Sequence, residues 1–248
     1  MLVDTHCHIH ESDYPLPIDA TLQHAREAGV QEMICVGTSE KSSSEAILFA
    51  KDHEGTYASI GVHPHESKEG YEGISSIVKE SKVVAIGEIG LDYFYTHSSK
   101  EVQIAALQWQ IELALANNLP AIFHVREAFD DFWPIFDSYS GIRGVLHSFT
   151  DTKENLQKAL DRGLYIGVNG ISTFSKDPIQ KAMFASIPLT HLLVETDAPF
   201  LTPNPFRGKV NEPAFVKNIA QHHADIRNIS YDEVAVVTTS NAHALFAL

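Results

Sequence analysis

Two histidines lie two residues apart near the start of the chain, in the stretch Leu2-Val3-Asp4-Thr5-His6-Cys7-His8. The size and β-branching of its apolar residues favour a strand. Because side chains alternate between the two faces of a strand, His6 and His8 project to one side and Cys7 to the other. Two adjacent imidazoles at a strand end can bind a metal ion. By themselves they are equally compatible with the exposed face of an edge strand.

Further metal-binding side chains follow apolar runs later in the chain. Together with the first pair, six of these side chains are candidate ligands: His6, His8, Glu88, His124, His147 and Asp197. Nitrogen and oxygen donors without thiolate suit Zn²⁺, Mn²⁺, Fe²⁺ or Mg²⁺. Six ligands are too many for one tetrahedral ion and indicate two ions, about 3.5–4 Å apart, for which Glu88 is the candidate bridge. Two more histidines, His63 and His65, follow the run that ends at Val62.

The elements that must position these groups alternate between strands and helices. The predicted strands are residues 2–8, 33–37, 57–62, 83–87, 120–123, 144–146, 164–168 and 191–194. The predicted helices are residues 18–28, 40–53, 67–80, 101–117, 127–139, 152–162 and 178–186, with two or three more after 211. Continuous apolar strands are typical of parallel sheets buried on both faces. We therefore predict an α/β fold, a single (β/α)8 TIM barrel over residues 1–248, with its metal site at the C-terminal ends of the strands.

The segment 101–117 has the clearest helical periodicity in the chain. Its apolar residues recur at Val102, Ala105, Ala106, Trp109, Leu113 and Ala116. This spacing predicts an amphipathic helix whose apolar stripe, including Trp109, packs in the core.

Composition limits the classes of protein to which the chain can belong. A formal net charge of −14 argues against a broad phosphate-binding surface, although a metal-centred pocket can still hold one phosphodiester. No apolar run approaches the roughly 20 residues of a membrane span. Cys7 and Cys35 both lie in strand-like runs, which favours structural thiols in a reducing compartment, and we expect a cytoplasmic protein. No motif indicates an obligate protein partner.

Seven motifs follow one another along almost the whole chain. They are Asp4-Thr5-His6-Cys7-His8, Gly61-Val62-His63-Pro64-His65, Gly87-Glu88-Ile89-Gly90-Leu91-Asp92-Tyr93, His124-Val125-Arg126-Glu127-Ala128, His147-Ser148-Phe149, Glu195-Thr196-Asp197-Ala198-Pro199-Phe200-Leu201, and Arg207-Gly208-Lys209 with Asn211-Glu212-Pro213. In this order they resemble the TatD family of metal-dependent deoxyribonucleases, within the amidohydrolase superfamily of metal-bearing barrels.

The resemblance implies a division of the ligands between two divalent ions (Mg²⁺, Mn²⁺ or Zn²⁺). One ion would be held by His6, His8, Glu88 and Asp197, and the other by Glu88, His124 and His147. His63 would face the substrate. His65 is either a loop residue or a substrate-side histidine, and Arg126 binds phosphate or pairs with an acid.

The activity implied by the resemblance is hydrolysis of DNA phosphodiester bonds, in the 3′ to 5′ direction and from single-stranded ends. A metal-activated water would attack the phosphorus, since a bound ion lowers the pKa of water from about 15.7 towards 7. Asp197, a ligand near that water, is the expected proton acceptor. His63 would donate a hydrogen bond to the phosphate as charge develops in the transition state.

Two other functions compete with the nuclease interpretation. A two-ion barrel can also hydrolyse small phosphoesters, lactones or cyclic amides, and the acidic composition favours that alternative. Superfamily members of that kind often bridge their ions with a modified lysine on the fourth strand, where this chain has Glu88. A metal-stabilised scaffold without catalysis is the third possibility, and the intact ligand set argues against it.

Overall fold

The computed structural model of the chain describes residues 1–248. The residues group into two compact units, each of which has its own set of contacts. We call Met1–Ile34 with Ser148–Leu248 the terminal unit, and Cys35–His147 the central unit. The prediction that the chain forms one domain stays a prediction. None of the helices is long and apolar enough to cross a membrane.

Eight strands form one sheet, in which they follow their order in the sequence. They are β1 (Leu2–Cys7), β2 (Val30–Val36), β3 (Thr56–Ile60), β4 (Val83–Asp92), β5 (Ala121–Arg126), β6 (Gly144–Leu146), β7 (Tyr165–Val168) and β8 (Leu192–Val194). β3, β4, β5 and β6 pair in parallel in the central unit, as do β7 and β8 in the terminal unit. Parallel strands in sequence order with intervening helices are the topology of a (β/α)8 barrel, so the predicted fold class is confirmed.

The helices occur between the strands and after the last of them. They are α1 (Ile18–Glu27), α2 (Glu40–Asp52), α3 (Lys100–Ala116), α4 (Phe129–Asp137), α5 (Lys153–Asp161), α6 (Ile171–Phe174), α7 (Pro178–Ser186), α8 (Val216–Arg227) and α9 (Tyr231–Phe246). Hydroxyl side chains cap several of them. Ser99, Thr152 and Ser230 each accept a hydrogen bond from the backbone N–H three residues later.

The prediction of a helix over residues 67–80 is wrong. This region contains two short 3-10 segments instead, Ser67–Glu69 and Glu72–Ser76. Gly70 lies between them with φ of 113°, a backbone conformation that no α-helix contains. The short helix α6 was not predicted, because its four residues are too few to show a period.

Glu88 and His124 lie inside strands and not at strand ends, which corrects the predicted boundaries of β4 and β5. β4 continues to Asp92 and β5 to Arg126 because the two strands go on pairing, with Leu91 opposite Val125. Between the pairs Ile86–Ala121 and Ile89–Phe123, β4 has two residues where β5 has one. This is a β-bulge at Gly87-Glu88, and a bulge re-aims the side chain that it carries. A Cβ at position 87 would lie 2.5 Å from the Cβ of Ile122, so only glycine fits there.

The buried face of α3 differs from the predicted stripe. The helix buries Gln103, Ala106, Leu107, Gln110, Ile111 and Ala114. Trp109 is only half-buried, and its ring lies 5.6 Å from that of Tyr71. The apolar residues therefore predicted the helix correctly, but not which of its faces is buried. The buried face includes two glutamines, Gln103 and Gln110, which an apolar pattern does not identify.

Candidate metal centre

The terminal unit brings together His6, His8 and Asp197, as the sequence predicted. The Nε2 atoms of His6 and His8 are 3.2 Å apart. Oδ1 of Asp197 lies 3.7 Å from Nε2 of His6 and 3.4 Å from Nε2 of His8. Two buried imidazole nitrogens and one carboxylate oxygen thus point at a common centre, which is the donor set of a divalent ion.

Backbone hydrogen bonds join the C-terminal end of β1 and the residue after it to the segment after β8, and they hold this cluster in place. The N–H of Asp197 donates to the carbonyl of His6 at 2.8 Å, and the N–H of His8 donates to the carbonyl of Ala198 at 2.8 Å. Asp197 has φ of 58°, in the left-handed region that residues other than glycine seldom adopt. Strained backbone of this kind is characteristic of functional sites, and here it directs the carboxylate of Asp197 towards the two histidines.

The side chain of Asp4, in β1, is hydrogen-bonded to Thr196 in the segment after β8. Its Oδ1 accepts the N–H of Thr196 at 2.8 Å, and its Oδ2 accepts the Thr196 hydroxyl at 2.5 Å. Complete burial raises the pKa of Asp4 to about 7, although the hydrogen bonds from Thr196 act in the opposite direction. Asp4 is thus a positioning residue that holds the segment with the two histidines against the segment that carries Asp197.

Asn211 fastens the loop after β8. Its side-chain amide donates to the carbonyls of Thr196, at 2.8 Å, and Phe200. Its Oδ1 accepts the N–H of Glu212 at 3.0 Å. The motif Asn211-Glu212-Pro213 therefore supports the segment that carries Asp197.

The central unit contains a second cluster around Glu88. Oε1 of Glu88 lies 2.8 Å from Nδ1 of His124, 3.6 Å from Nε2 of His63 and 3.7 Å from Nε2 of His147. The carboxylate is almost fully buried, at 4% exposure. A buried carboxylate oxygen surrounded by imidazoles is typical of sites that bind a divalent ion, and His124 and His147 are the predicted ligands beside Glu88.

Asp92 holds the histidines of the central unit in position. Its Oδ2 lies 3.0 Å from Nε2 of His124 and 3.0 Å from Nε2 of His65. Burial opposes ionisation of Asp92, but the hydrogen bonds from these histidines and from backbone N–H groups lower its pKa below the ordinary value. A carboxylate behind a metal-binding histidine orients the ring and raises its basicity. The sequence placed Asp92 in a motif, and the structure gives the contacts that it makes.

The ring of His63 is oriented by the backbone of the next histidine. The N–H of His65 donates to Nδ1 of His63 at 3.2 Å. Burial lowers the pKa of His63 to about 3, against the attraction of Glu88, so the ring is neutral at pH 7. A neutral ring that accepts at Nδ1 carries its proton on Nε2, the atom that faces Glu88. His63 is therefore a hydrogen-bond donor in this arrangement, and its Nε2 has no lone pair to offer an ion.

The two remaining predicted residues, His65 and Arg126, lie at the margin of the central cluster. The His65 ring contacts the rings of His63 and Tyr95, with centroid distances of 4.4 and 5.4 Å. The exposed guanidinium of Arg126 lies 3.9 Å from the centroid of the Phe94 ring. Arg126 is thus a cation held at the surface, and no acidic side chain pairs with it.

Two buried glutamines of α3 were missed by the sequence analysis. Gln110 accepts the N–H of Val62 at 2.7 Å and donates to its carbonyl at 3.1 Å. Gln103 makes the same pair of bonds to Asp92, at 2.9 and 3.0 Å. Each side-chain amide makes the two hydrogen bonds that the backbone of a neighbouring strand would make. Gln110 does so just before His63, and Gln103 does so at the end of β4. The spacing of seven residues between the two glutamines places both on one face of the helix, and this spacing was the signal in the sequence that could have revealed them. It was passed over because polar residues are not expected on the buried face of a helix.

Replacing Gln110 with methionine is expected to destabilise the protein by about 1–3 kcal/mol. Methionine fills a similar volume but leaves the N–H and the carbonyl of Val62 buried without a partner. Urea unfolding measures the difference. Gln108→Met is the matched control, because Gln108 is a half-buried residue of the same helix that makes no hydrogen bond to a strand. Equal stabilities of the two variants would contradict this role for Gln110.

Known proteins resemble this chain along nearly its whole length. A family model described as TatD-related DNase matches residues 3–247. A metal-dependent hydrolase of Bacillus subtilis, YabD, is 35% identical over the full length of both chains. The 3′-5′ ssDNA/RNA exonuclease TatD of Erwinia amylovora is 36% identical over 93% of each chain. The crystal structure of YJJV, a TatD homologue of Escherichia coli, superposes with a TM-score of 0.93 at 29% identity, and covers 100% of this chain and 98% of that one.

A match across nearly the whole chain identifies the family, and the two donor sets fit the metal dependence that the names of the relatives state. The chain belongs to the TatD-related DNase family, and it is an enzyme, a metal-dependent hydrolase of the TatD type.

Proposed function

We propose that the protein is a 3′ to 5′ exonuclease that hydrolyses the phosphodiester bonds of single-stranded DNA with two divalent ions per chain. The observation that carries the proposal is the pair of clusters, His6, His8 and Asp197 in one unit and, in the other, Glu88 facing His63, His124 and His147. The exonuclease names of relatives from Erwinia amylovora and Salmonella typhimurium, at 36% and 32% identity, support the substrate class.

Each residue has a distinct proposed role. His6, His8 and Asp197 would hold one ion, and Glu88, His124 and His147 would hold the other. When bound, the ions polarise the phosphoryl oxygens and activate water. Asp197 would accept a proton at its carboxylate, which directly faces the two histidines of the terminal unit.

His63 and Arg126 are proposed to act on the substrate. Nε2–H of His63 is a fixed donor that can bind a phosphoryl oxygen as negative charge develops on it. The Arg126 guanidinium is exposed and always charged, so it can neutralise a phosphate of the strand. His65 is held by Asp92 and contacts the substrate side of His63.

Linear single-stranded DNA is expected to be degraded far faster than a circular strand of the same sequence. An acidic chain binds duplex DNA weakly, so the enzyme should act distributively on free single-stranded ends. Gel assays with Mn²⁺ or Mg²⁺ on both substrates, labelled at either end, report the rate and the direction. A chelator should abolish both reactions. Equal rates on the linear and circular strands would contradict exonuclease action but not nuclease action.

The acidic net charge of −14 favours a second candidate, a hydrolase of small phosphoesters, lactones or cyclic amides. The same donor sets would serve that chemistry. Turnover of such compounds, with no turnover of DNA under the same metal conditions, would identify this function instead.

Both cysteines are buried and neither forms a disulfide, so we expect the protein in the cytoplasm, where thiols stay reduced.

A further inference from the structure

Two large aromatic side chains are exposed on the segment between β4 and α3. Phe94 is 48% exposed and Tyr95 is 43% exposed, whereas most large apolar side chains of the central unit are buried. Their ring centroids are 4.7 Å apart and the rings are nearly perpendicular. The guanidinium of Arg126 lies 3.9 Å from the Phe94 centroid and 5.1 Å from that of Tyr95. We call Phe94, Tyr95 and Arg126 the aromatic ledge.

The aromatic ledge is held rigidly by a residue of the central cluster. Oδ1 of Asp92 accepts the N–H of Phe94 at 2.9 Å and that of Tyr95 at 3.1 Å. The other oxygen of the same carboxylate lies 3.0 Å from His124 and from His65. One carboxylate therefore positions a proposed metal ligand and the ledge together. Such a fixed surface loses little conformational entropy when a ligand binds.

A continuous series of ring contacts connects the ledge to the reacting groups. The centroids of His124 and His63 are 4.5 Å apart, those of His63 and His65 are 4.4 Å apart, and those of His65 and Tyr95 are 5.4 Å apart. Only His65 separates Tyr95 from His63, the proposed phosphate donor. The base of a nucleotide whose phosphate lies at His63 can therefore reach the ledge.

We propose that the aromatic ledge stacks a base of the single-stranded DNA substrate, next to the phosphate that is cleaved. This inference rests on the proposed nuclease function and adds the subsite that recognises a polynucleotide. Aromatic faces stack on any base, and an adjacent arginine binds both the base and the backbone phosphate. The ledge gives affinity without reading the sequence, and it explains how an acidic protein can hold a strand through one small, locally cationic surface.

The test removes a base from the substrate and the two aromatic rings from the enzyme, first separately and then together. A linear oligothymidylate carries a single abasic site, moved one position at a time from the 3′ end, and kcat/KM is measured with Mn²⁺. For the wild-type enzyme, the abasic site is expected to lower kcat/KM about 5- to 100-fold at one position near the end, the range for losing one stacked base. The double variant Phe94→Leu/Tyr95→Leu should show the same loss on the intact oligomer and no further loss from the abasic site.

Control variants separate stacking from folding. Phe94→Tyr/Tyr95→Phe keeps both rings and should keep the dependence on the base. Leu48→Ala removes an apolar side chain that is 61% exposed on α2 and should leave kcat/KM unchanged. Metal content and melting temperature should match the wild type in all variants, because no ledge residue is a proposed ligand.

Four outcomes would overturn the proposal. Wild-type cleavage that is indifferent to the abasic site at every position would exclude stacking while leaving the nuclease function intact, and so would a leucine variant that keeps the dependence on the base. If the leucine variant changed its oligomeric state but kept the wild-type dependence on the base, the ledge would be assigned to contact with a second copy of the chain. Failure of the wild-type enzyme to cut any DNA would remove the nuclease function and the ledge proposal together.

Discussion

Glu88→Ala is expected to lose bound metal and hydrolytic activity together. Glu88 is the only carboxylate of the central cluster that faces His63, His124 and His147, so its removal leaves that donor set without negative charge. Loss of an outer-shell partner of a metal site already lowers affinity or activity about 10- to 100-fold, and loss of a direct ligand should exceed that range.

Elemental analysis and a DNA turnover assay measure this prediction on the same samples. Wild-type protein saturated with Mn²⁺ or Zn²⁺ should hold more than one equivalent of metal, and a firm ceiling of one equivalent would remove the two-ion mechanism. Glu88→Gln fills the same space without the charge and is used if the alanine variant fails to fold. Glu69→Ala, which removes an exposed carboxylate of the central unit, should keep the metal and the rate. Full metal content in both Glu88 variants would show that Glu88 is not a ligand.

The places of the candidate ligands in the fold could be predicted because apolar periodicity and the order of the elements carry most of the information about parallel strands. Apolar runs predict the strands, and the side chains that follow them collect at one end of a parallel sheet. His6, His8 and Asp197 meet in the structure for that reason, since the C-terminal end of β1 and the residue after it are joined to the segment after β8 by backbone hydrogen bonds. The same reasoning placed Glu88 and His124 near each other, although both strands continue beyond them.

The remaining features depend on long-range contacts that a periodic pattern does not encode. The bulge at Gly87-Glu88 arises from the pairing of β4 with β5, and it is visible only once both strands are aligned. Gln103 and Gln110 look like surface residues in the sequence, but the side chain of each bonds the backbone N–H and carbonyl of one residue, as a neighbouring strand would. The donor role of His63 likewise depends on the backbone N–H of His65, which is set by the turn at Pro64.

His63→Ala is expected to keep the metal and to slow hydrolysis by roughly 10²- to 10³-fold, the range for losing one preorganised donor to a developing oxyanion. The reason lies in its protonation. Nδ1 of His63 accepts the N–H of His65, and burial keeps the ring neutral, so the proton is on Nε2. A protonated nitrogen cannot bind an ion, although Nε2 is only 3.6 Å from Glu88 and thus close enough to be mistaken for a ligand.

Metal content, melting temperature and single-turnover rate on linear single-stranded DNA should be measured together for His63→Ala. His53→Ala is the matched control, since His53 is a half-buried histidine of the central unit whose ring makes one hydrogen bond, between Nδ1 and the carbonyl of Phe49. His63→Gln keeps an N–H donor and should recover part of the rate, because the lost interaction is a donated hydrogen bond. A loss of metal in His63→Ala comparable to that in Glu88→Ala would make His63 a ligand. A full rate with a lowered melting temperature would reduce it to a packing residue of the loop after β3.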